Sequence, residues 1–297
     1  MNFRQLEYVI AVEEEGHFRK AAQRCCVSQA TLSEMIRRLE DELDILIFDR
    51  SRNPVVPTYN GKQVISKSRE IINRSKELIH LKSALEGRLS GVLRIGIIPT
   101  VAPLLLPKII KPFKKKYPDI ELKIKEATTD QLISDLESER IDAAILATNP
   151  SDKDFTEYPL YSEALKVYGI QDKHKKRITT KEIKKSTVWL LEDGHCFKDQ
   201  VVSVCGLEDQ SNQFDGLEMQ CSSFATLVGL VDDFGGYTLL PELYVRIMSS
   251  KRQNKTRAFE SPEPFRKIRM MVYRPFVKKA HVSALTALIR SSVKSNL

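Results

Sequence analysis

The sequence predicts an α/β protein with an all-α N-terminal domain, a long linker helix and a second region of mixed helices and strands. Residues 3–43 contain three short segments in which apolar residues follow a helical spacing. Apolar residues then recur every seven positions between Gly61 and Gly87. After Gly91, short apolar strands alternate with helical segments. A chain of 297 residues has room for about two domains of ordinary size.

The composition is typical of a globular protein without membrane spans. Hydrophobic residues make up 42% and charged residues 29% of the chain. No segment reaches the roughly 18 consecutive apolar residues that a membrane helix needs. Three glutamates at 13–15 interrupt the N-terminal segment where a signal peptide would be apolar. We therefore expect a cytoplasmic protein.

The net charge of +8 does not by itself predict a nucleic-acid partner, because the charge is unevenly placed. Residues 1–58 contain 8 basic and 10 acidic side chains, whereas residues 59–91 contain 7 basic and 3 acidic ones. An argument for DNA binding has to rest on where individual side chains lie.

Local signals bound the first three helices. The first is predicted over residues 3–14 and ends at Gly16. The second covers residues 18–25, where the pair Ala21-Ala22 lets another helix approach closely. Ser28 is predicted to cap the third helix. Its apolar face is formed by Leu32, Met35, Ile36, Leu39 and Leu43.

The polar positions of the third helix have the composition of a DNA-recognition helix. Polar side chains near its N-terminus could reach base edges, and its arginines could contact phosphates. On these features alone an ordinary helical bundle remains an equal alternative. The candidate DNA-binding residues are Ser28, Gln29, Thr31, Ser33, Arg37, Arg38 and, beyond the helix, Arg50.

A seven-residue repeat in the linker predicts a dimerisation helix, because such a repeat holds one seam against a partner helix. The alternative is an amphipathic helix packed on its own domain, which a repeat sustained over three heptads disfavours. The seam is formed by Val64, Ile71, Leu78 and Leu85, with Ile65, Ile72 and Ile79 beside it.

The remainder of the chain alternates strands with helices and predicts a parallel sheet. A second unit of this kind is expected to start near Ala164, and the strand at residues 266–275 is expected to return to the first. Sites in such folds lie at strand ends and helix N-termini, in the cleft between the units.

Five cysteines are too few and too irregular for a secreted disulfide framework. The Cys196-x8-Cys205 pair is a weak redox signal by spacing alone. Cys25 and Cys26 are predicted to be small packing residues, and Cys221 to be structural. We expect no metal site, because neither a Cys-x-x-Cys nor a paired-histidine spacing occurs. No cofactor is expected either.

The motifs together resemble the LysR-type transcription regulators. The segment from Tyr8 to Leu43 is similar to their helix-turn-helix, and residues 48–61 are similar to the wing that follows. Ala30 departs from the family pattern, which usually has proline there, and a second departure is Thr58-Tyr59-Asn60-Gly61. Residues 190–205 resemble the hydrogen-peroxide-sensing subgroup, with Phe197-Lys198 as a departure. Further matching segments are GIIPT, EATTDQL, TLLP at 238–241 and Tyr273-Arg274-Pro275.

The resemblance implies a winged helix-turn-helix, a linker helix and a two-lobed effector domain like the periplasmic binding proteins. The domains are predicted as 1–58 for DNA binding, 59–90 for the linker, 91–163 with 265–297 for the first lobe and 164–264 for the second. It also implies a regulator, not an enzyme, that hydrogen peroxide activates and that controls antioxidant genes.

The resemblance also implies the roles of the site residues. Cys196 would be peroxidatic and Cys205 resolving. The other members of this site are Thr100, Thr129, His195, Asp199 and Arg274. If residues 197–205 are helical when reduced, the two cysteines lie about 13 Å apart, whereas a disulfide needs Cα atoms within about 7 Å. Oxidation would then refold this segment.

The implied partners are double-stranded DNA, hydrogen peroxide, further copies in a homodimer or homotetramer, RNA polymerase, and a thiol reductant such as glutaredoxin or thioredoxin. Two other functions stay open from the residues. One is a LysR-type regulator that binds a small metabolite between its lobes. The other is a cysteine hydrolase using Cys196 with His195, which is disfavoured because adjacent residues rarely aim at each other as nucleophile and base.

Overall fold

The structure is a computed structural model that divides into two compact units. The first comprises Met1–Gly91 with Glu137–Arg140, and the second comprises Val92–Leu136 with Ile141–Leu297. The residues described are 1–85, 89–148, 154–170, 172, 176–194, 196–207, 213–214, 217–273 and 278–294.

The first unit contains three short helices, a two-stranded wing and a long helix. Gly16 ends the first helix in the left-handed conformation, and the Ser28 side chain caps the third by accepting a hydrogen bond from the Thr31 amide, so both predicted boundaries are confirmed. The elements are α1 (Phe3–Glu15), α2 (Phe18–Arg24), α3 (Gln29–Leu43), β1 (Phe48–Asp49), β2 (Val56–Pro57) and α4 (Tyr59–Leu85).

The linker helix α4 presents two apolar stripes to different surroundings. Ile65 and Ile72 are buried in the core of the first unit, whereas Ile71 and Leu78 are 39% and 72% exposed. The residues predicted beside the seam therefore pack on their own domain, and Val64 of the seam is partly buried against the same core. Adjacent positions of a helix face different directions, which leaves Ile71 and Leu78 exposed. The seam residue Leu85 and its neighbour Ile79 have side chains outside the described part of the chain.

The second unit is a mixed α/β fold. Its first half contains β3 (Gly91–Ile97), α5 (Ala102–Lys116), β4 (Ile120–Glu126), α6 (Thr129–Glu137), β5 (Ala143–Leu146) and β6 (Phe155–Tyr168). Then follow β7 (Arg177–Ile178), α7 (Thr180–Lys184), α8 (Cys196–Cys205), β8 (Gln213–Phe214), β9 (Leu217–Glu218) and α9 (Phe224–Phe234). The last elements are β10 (Thr238–Pro241), α10 (Glu242–Ile247), α11 (Ser250–Gln253), β11 (Thr256–Phe259), β12 (Phe265–Tyr273) and α12 (Lys279–Lys294).

The main sheet has the strand order β4-β3-β5-β12-β6-β11-β7, with β10 also paired to β6. β3 and β5 are parallel, as the sequence predicts, but β12 is antiparallel to both β5 and β6. The α/β class is thus confirmed, and the sheet is mixed: it is parallel at β3 and β5 and antiparallel at β12. β12 returns from the second lobe and so enters the sheet in the opposite direction to β5.

Strand β6 joins two lobes because it changes partners along its length. Phe155–Ala164 pairs with β12, and Leu165–Tyr168 pairs with β10 and in part with β11. We call the part built on β3, β5 and β12 the first lobe, and the part built on β7, β10 and β11 the second. The domain boundaries expected from the sequence stay predictions.

The core of the second lobe includes one face of α8. Trp189 is 1% exposed and donates a hydrogen bond from Nε1 to the carbonyl oxygen of Gly235 at 2.9 Å. Phe197, Val201 and Cys205 of α8 belong to the same apolar cluster. Any refolding of α8 must therefore disturb this core. Among the described residues, no helix is both long and apolar enough to cross a membrane.

Candidate functional sites

Cys196 and Cys205 lie at opposite ends of α8, and both thiols are free and buried. Nine steps along an α-helix separate their Cα atoms by about 13 Å. No disulfide can form between them while the helix is intact, because its Cα atoms must lie within about 7 Å.

The Cys196 thiol is surrounded by groups that oppose one another electrostatically. Burial raises its pKa above the ordinary value, while the Thr129 hydroxyl, the Arg266 guanidinium and the Ala147 backbone act in the opposite direction. The burial effect is the larger, so the resting form is the thiol. The groups that favour a thiolate at this position are Thr129, Arg266 and the Ala147 backbone.

Arg266 is the cation of this site and is held from three sides. Its side chain is 1% exposed and donates hydrogen bonds to Oγ1 and to the carbonyl oxygen of Thr100, each at 3.1 Å. It forms an ion pair with Glu163 at 2.8 Å, and its guanidinium lies 5.2 Å from the centroid of the Phe197 ring. The position of its charge is therefore fixed.

Three buried polar atoms near Cys196 and Arg266 make no hydrogen bond of full geometry to a described residue. They are Thr129 Oγ1, Tyr161 Oη and Gln200 Oε1. Gln200 is anchored through its other amide atom, since Nε2 donates to the Ala147 carbonyl oxygen at 3.0 Å. Buried polar atoms are normally paired, so each of these atoms has hydrogen-bonding capacity left for a small polar molecule.

Cys205 lies in a different environment from Cys196. It is 3% exposed within the apolar core of the second lobe, and burial alone raises its pKa to about 11. Cys221 is buried as well, and burial together with the charge of Glu192 raises its pKa. Neither thiol has the cation that Cys196 has, so Cys196 is the best nucleophile of the three.

The expected site residues differ in how they relate to Cys196. Thr129 faces the thiol, and Thr100 reaches the site through Arg266. Asp199 is exposed, and its charge opposes thiolate formation at Cys196. His195 and Arg274 lie outside the described residues.

Sequence reasoning missed Arg266, Glu163 and Gln200. A signal for the first two exists, because each occupies an inward position of an alternating strand. Arg266 shares the buried face of β12 with Ile268, and Glu163 shares the buried face of β6 with Leu165. A charged residue at a buried strand position needs a partner, which predicts a pair.

The expectation that Cys25 and Cys26 both pack in the first domain holds only for Cys25. Cys25 is partly buried against the core of the first unit. Cys26 is exposed, with φ of 55°. It lies in the turn that follows α2, which directs its side chain away from the core.

Most candidate DNA-binding side chains share an accessible face of α3. Ser28, Gln29 and Thr31 are exposed at its N-terminal end, and Ser33 is partly exposed. Arg37 and Arg38 are exposed further along the helix and both pair with Glu34, at 3.3 and 3.0 Å. Exposed pairs of this kind contribute at most about 1 kcal/mol, so phosphates can displace them.

Arg50 is bound differently because its partner is buried. It donates to Oε2 of Glu40 at 2.7 Å and lies 5.1 Å from the centroid of the Phe18 ring. Oε1 of Glu40 accepts from the amides of Ile47 and Phe48. Arg50 thus helps fix the wing to α3 and α2, in addition to any contact with DNA.

Comparison with known proteins identifies the family to which this chain belongs. Residues 3–62 match the family model of the bacterial regulatory helix-turn-helix protein, lysR family, and residues 86–294 match the LysR substrate binding domain. A hydrogen peroxide-inducible genes activator of Haemophilus influenzae is 36% identical over 93% of this chain and 91% of its own length. The DNA-binding transcriptional dual regulator OxyR of Escherichia coli K12 is 36% identical over 93% and 90%.

Solved structures of similar sequence have the same fold. A full-length OxyR variant from Pseudomonas aeruginosa is 29% identical, covers 98% of both chains and has a TM-score of 0.82. A hydrogen-peroxide-bound OxyR variant from Corynebacterium glutamicum is 25% identical, covers 99% of this chain and 93% of its own, and has a TM-score of 0.65. The chain therefore belongs to the LysR family of transcriptional regulators and, within it, to the OxyR group of hydrogen peroxide-inducible genes activators.

Proposed function

We propose that this chain is a DNA-binding transcription regulator that hydrogen peroxide switches by forming a disulfide between Cys196 and Cys205. The observation that carries the proposal is the site of Cys196. A buried thiol lies there beside a fixed cation, and unpaired polar atoms are left among the surrounding residues. Hydrogen peroxide is small, and it donates and accepts hydrogen bonds, as these atoms require.

In the first step the Cys196 thiolate attacks one oxygen of hydrogen peroxide. The O–O bond breaks, the sulfur becomes sulfenic acid, and the leaving hydroxide takes up a proton to become water. The positive charge of Arg266 stabilises the thiolate, and the hydroxyl of Thr129 and the Gln200 amide oxygen orient the peroxide. Thr100 supports the site by holding Arg266. Asp199, His195 and Arg274 remain proposed members of the site from the resemblance alone.

In the second step Cys205 attacks the sulfur of the sulfenic acid, and a second molecule of water leaves as the disulfide forms. The two residues must first approach from about 13 Å, so α8 has to unwind. Since Phe197 and Val201 of α8 pack in the core of the second lobe, this core must repack. A local oxidation is thereby converted into a change of the effector domain.

We propose that the regulator acts as a homodimer or homotetramer, with exposed Ile71 and Leu78 of α4 in the dimer contact. Two helix-turn-helix heads would then read paired half-sites on double-stranded DNA. Antioxidant genes as targets, RNA polymerase as a partner, a cytoplasmic location and reduction by a glutaredoxin or thioredoxin complete the proposal. The disulfide serves as the switch of a DNA-binding protein, so we propose a regulator and not an enzyme.

Mass spectrometry of the reduced full-length chain, treated with an equimolar amount of hydrogen peroxide, tests the switch. We expect two free thiols per chain to disappear and a peptide with Cys196 linked to Cys205 to appear. Cys221→Ser is the matched control and should behave like the unaltered chain. If all thiols persist, Cys196 is a passive residue and the family's other mode, a metabolite bound between the lobes, replaces this proposal.

A further inference from the structure

The buried ion pair behind Cys196 joins two strands in register. Arg266 on β12 and Glu163 on β6 are directly paired residues of the antiparallel ladder. Their side chains are 1% and 0% exposed. The carboxylate of Glu163 also accepts a hydrogen bond from the Leu243 amide at 3.3 Å. The pair is thus fixed by strand register and is shielded from solvent.

Arg266 has anchors other than Glu163. Thr100 already accepts two hydrogen bonds from its guanidinium, and the Phe197 ring lies against it. Buried ion pairs are weak stabilisers, because desolvating both charges costs about as much as their attraction returns. A neutral acceptor could make the same hydrogen bonds. Only a carboxylate also places a negative charge next to Arg266, the cation that Cys196 faces.

We propose that Glu163 is a positioning residue that restrains the reactivity of Cys196 by partly neutralising Arg266, and so sets the peroxide concentration at which the regulator responds. This inference rests on the proposed function. Its physical basis is that charges interact strongly in a buried site, where water does not screen them. A bare guanidinium would favour the thiolate more than a paired one does.

Other charged groups around Cys196 do not balance Arg266 in the same way. Asp199 on α8 is exposed, and Lys198 pairs with Asp193 at 2.6 Å. Tyr161 on β6 is the remaining titratable neighbour of the pair, and burial raises its pKa so that it stays neutral. Asp199 acts on the thiol from an exposed position, whereas Glu163 is the buried carboxylate that contacts Arg266 itself.

The test measures ionisation of Cys196 directly, through the pH dependence of its alkylation by iodoacetamide in a Cys205→Ser, Cys221→Ser background of the full chain. The midpoint is the pH at which alkylation of Cys196 reaches half its maximal rate. We expect Glu163→Gln to lower this midpoint by about one pH unit, the shift that a nearby charge commonly causes. Reaction with peroxide near neutral pH should then be up to about tenfold faster, while the rate at alkaline pH stays the same.

Two matched variants separate charge from structure. Glu163→Asp keeps the charge and should keep the midpoint within a few tenths of a unit. Asp199→Asn removes an exposed charge that solvent screens, and we expect a clearly smaller shift than for Glu163→Gln. An unchanged or raised midpoint in a folded Glu163→Gln protein, as judged by Trp189 fluorescence, overturns the proposal.

A pair of variants covers the case in which Glu163→Gln does not fold. Arg266→Gln leaves Glu163 unpaired, and adding Glu163→Gln to it removes that negative charge. The double variant should therefore alkylate Cys196 at a lower pH than the single Arg266→Gln variant, and equal midpoints reject the proposal. Alkylation does not require peroxide, so a chain that fails to react with peroxide but shows these shifts refutes only the proposed function.

Discussion

Cys196 and Cys205 are the first and last residues of one helix, α8. A covalent bond between them is incompatible with that helix, because its geometry holds their Cα atoms about 13 Å apart. We therefore predict that oxidation of the full chain removes the hydrogen-exchange protection of α8 amides. Exchange followed by mass spectrometry on reduced and peroxide-treated protein measures this.

The neighbouring helix α9 serves as the internal reference for this experiment. It is a longer helix in the same lobe and contains none of the five cysteines. We expect its amides to stay protected, or to lose much less protection than those of α8. Protection of α8 that is equal before and after complete disulfide formation contradicts the refolding step.

The two thiols should have unequal roles. Cys205→Ser should still form a sulfenic acid at Cys196, because Arg266 and Thr129 favour the thiolate there. Cys196→Ser should form almost none at Cys205, whose pKa of about 11 leaves very little thiolate near pH 7. Trapping with a dimedone probe measures the sulfenic acid formed in each variant. We expect more than about ten times as much in Cys205→Ser as in Cys196→Ser. A faster reaction at Cys205 would reverse the assignment.

Features governed by near neighbours in the chain were predictable from the sequence. Gly16 and Ser28 bound helices through their own backbone and side-chain chemistry, so α1 and α3 were found almost to the residue. The two cysteines were found together through the resemblance, and the structure places them on one helix.

Features that depend on distant residues were not predictable. The pair of Glu163 and Arg266 spans 103 positions of the chain and exists only because β6 and β12 align in one register. The direction of β12 depends in the same way on its return from the second lobe. The burial of Ile72 could not be distinguished from that of Ile71, because a period of seven does not say which stripe of a helix meets which partner.

Ionisation of Cys205 should make the second lobe less stable at alkaline pH. Burial raises the pKa of Cys205 in the folded protein to about 11, from an ordinary thiol value of about 9. The stabilisation is therefore complete below about pH 9 and is lost as the pH rises toward 11. By pH 11 the loss should be on the order of 2 kcal/mol.

Urea unfolding followed by the fluorescence of Trp189, the single tryptophan, measures this stability at several pH values. Cys205→Ala should unfold at lower urea concentration at pH 8, because it leaves a cavity, but should lose less stability between pH 9 and 11. Each protein gives a slope of unfolding free energy against pH between pH 9 and 11. Because the two proteins share all other ionising groups, the difference between these slopes is caused by Cys205. Parallel slopes contradict the prediction.

The two stripes of α4 predict opposite phenotypes. Ile71→Asp combined with Leu78→Asp changes exposed positions, so the folded first unit should persist while dimers dissociate. Ile72→Asp places a charge at a position that is 7% exposed, so the first unit should be destabilised by several kcal/mol. Light scattering and circular dichroism distinguish the two results. A dimer that survives the double change would place the main contact in the effector domain.

Arg38 and Arg50 should affect DNA binding by different routes. Arg38 is exposed and held only by a surface pair with Glu34, so Arg38→Ala should leave stability nearly unchanged. If it contacts phosphate, affinity for a random-sequence duplex should fall, and the slope of log K against log salt should decrease by about one. Lys67→Ala, which also removes a cation from a surface pair, is the matched control and should leave both unchanged.

Arg50→Ala should in addition destabilise the wing, because it leaves the buried Glu40 carboxylate without its cation. We expect a loss of about 1–3 kcal/mol in the stability of the first unit. Glu40→Gln should reproduce most of this loss while Arg50 remains available to DNA. For both variants we compare the slope of log K for DNA binding against log salt. This comparison separates a phosphate contact of Arg50 from its structural role in the wing. A reduced slope in Arg50→Ala alone assigns it a phosphate contact, whereas equal slopes restrict it to positioning the wing.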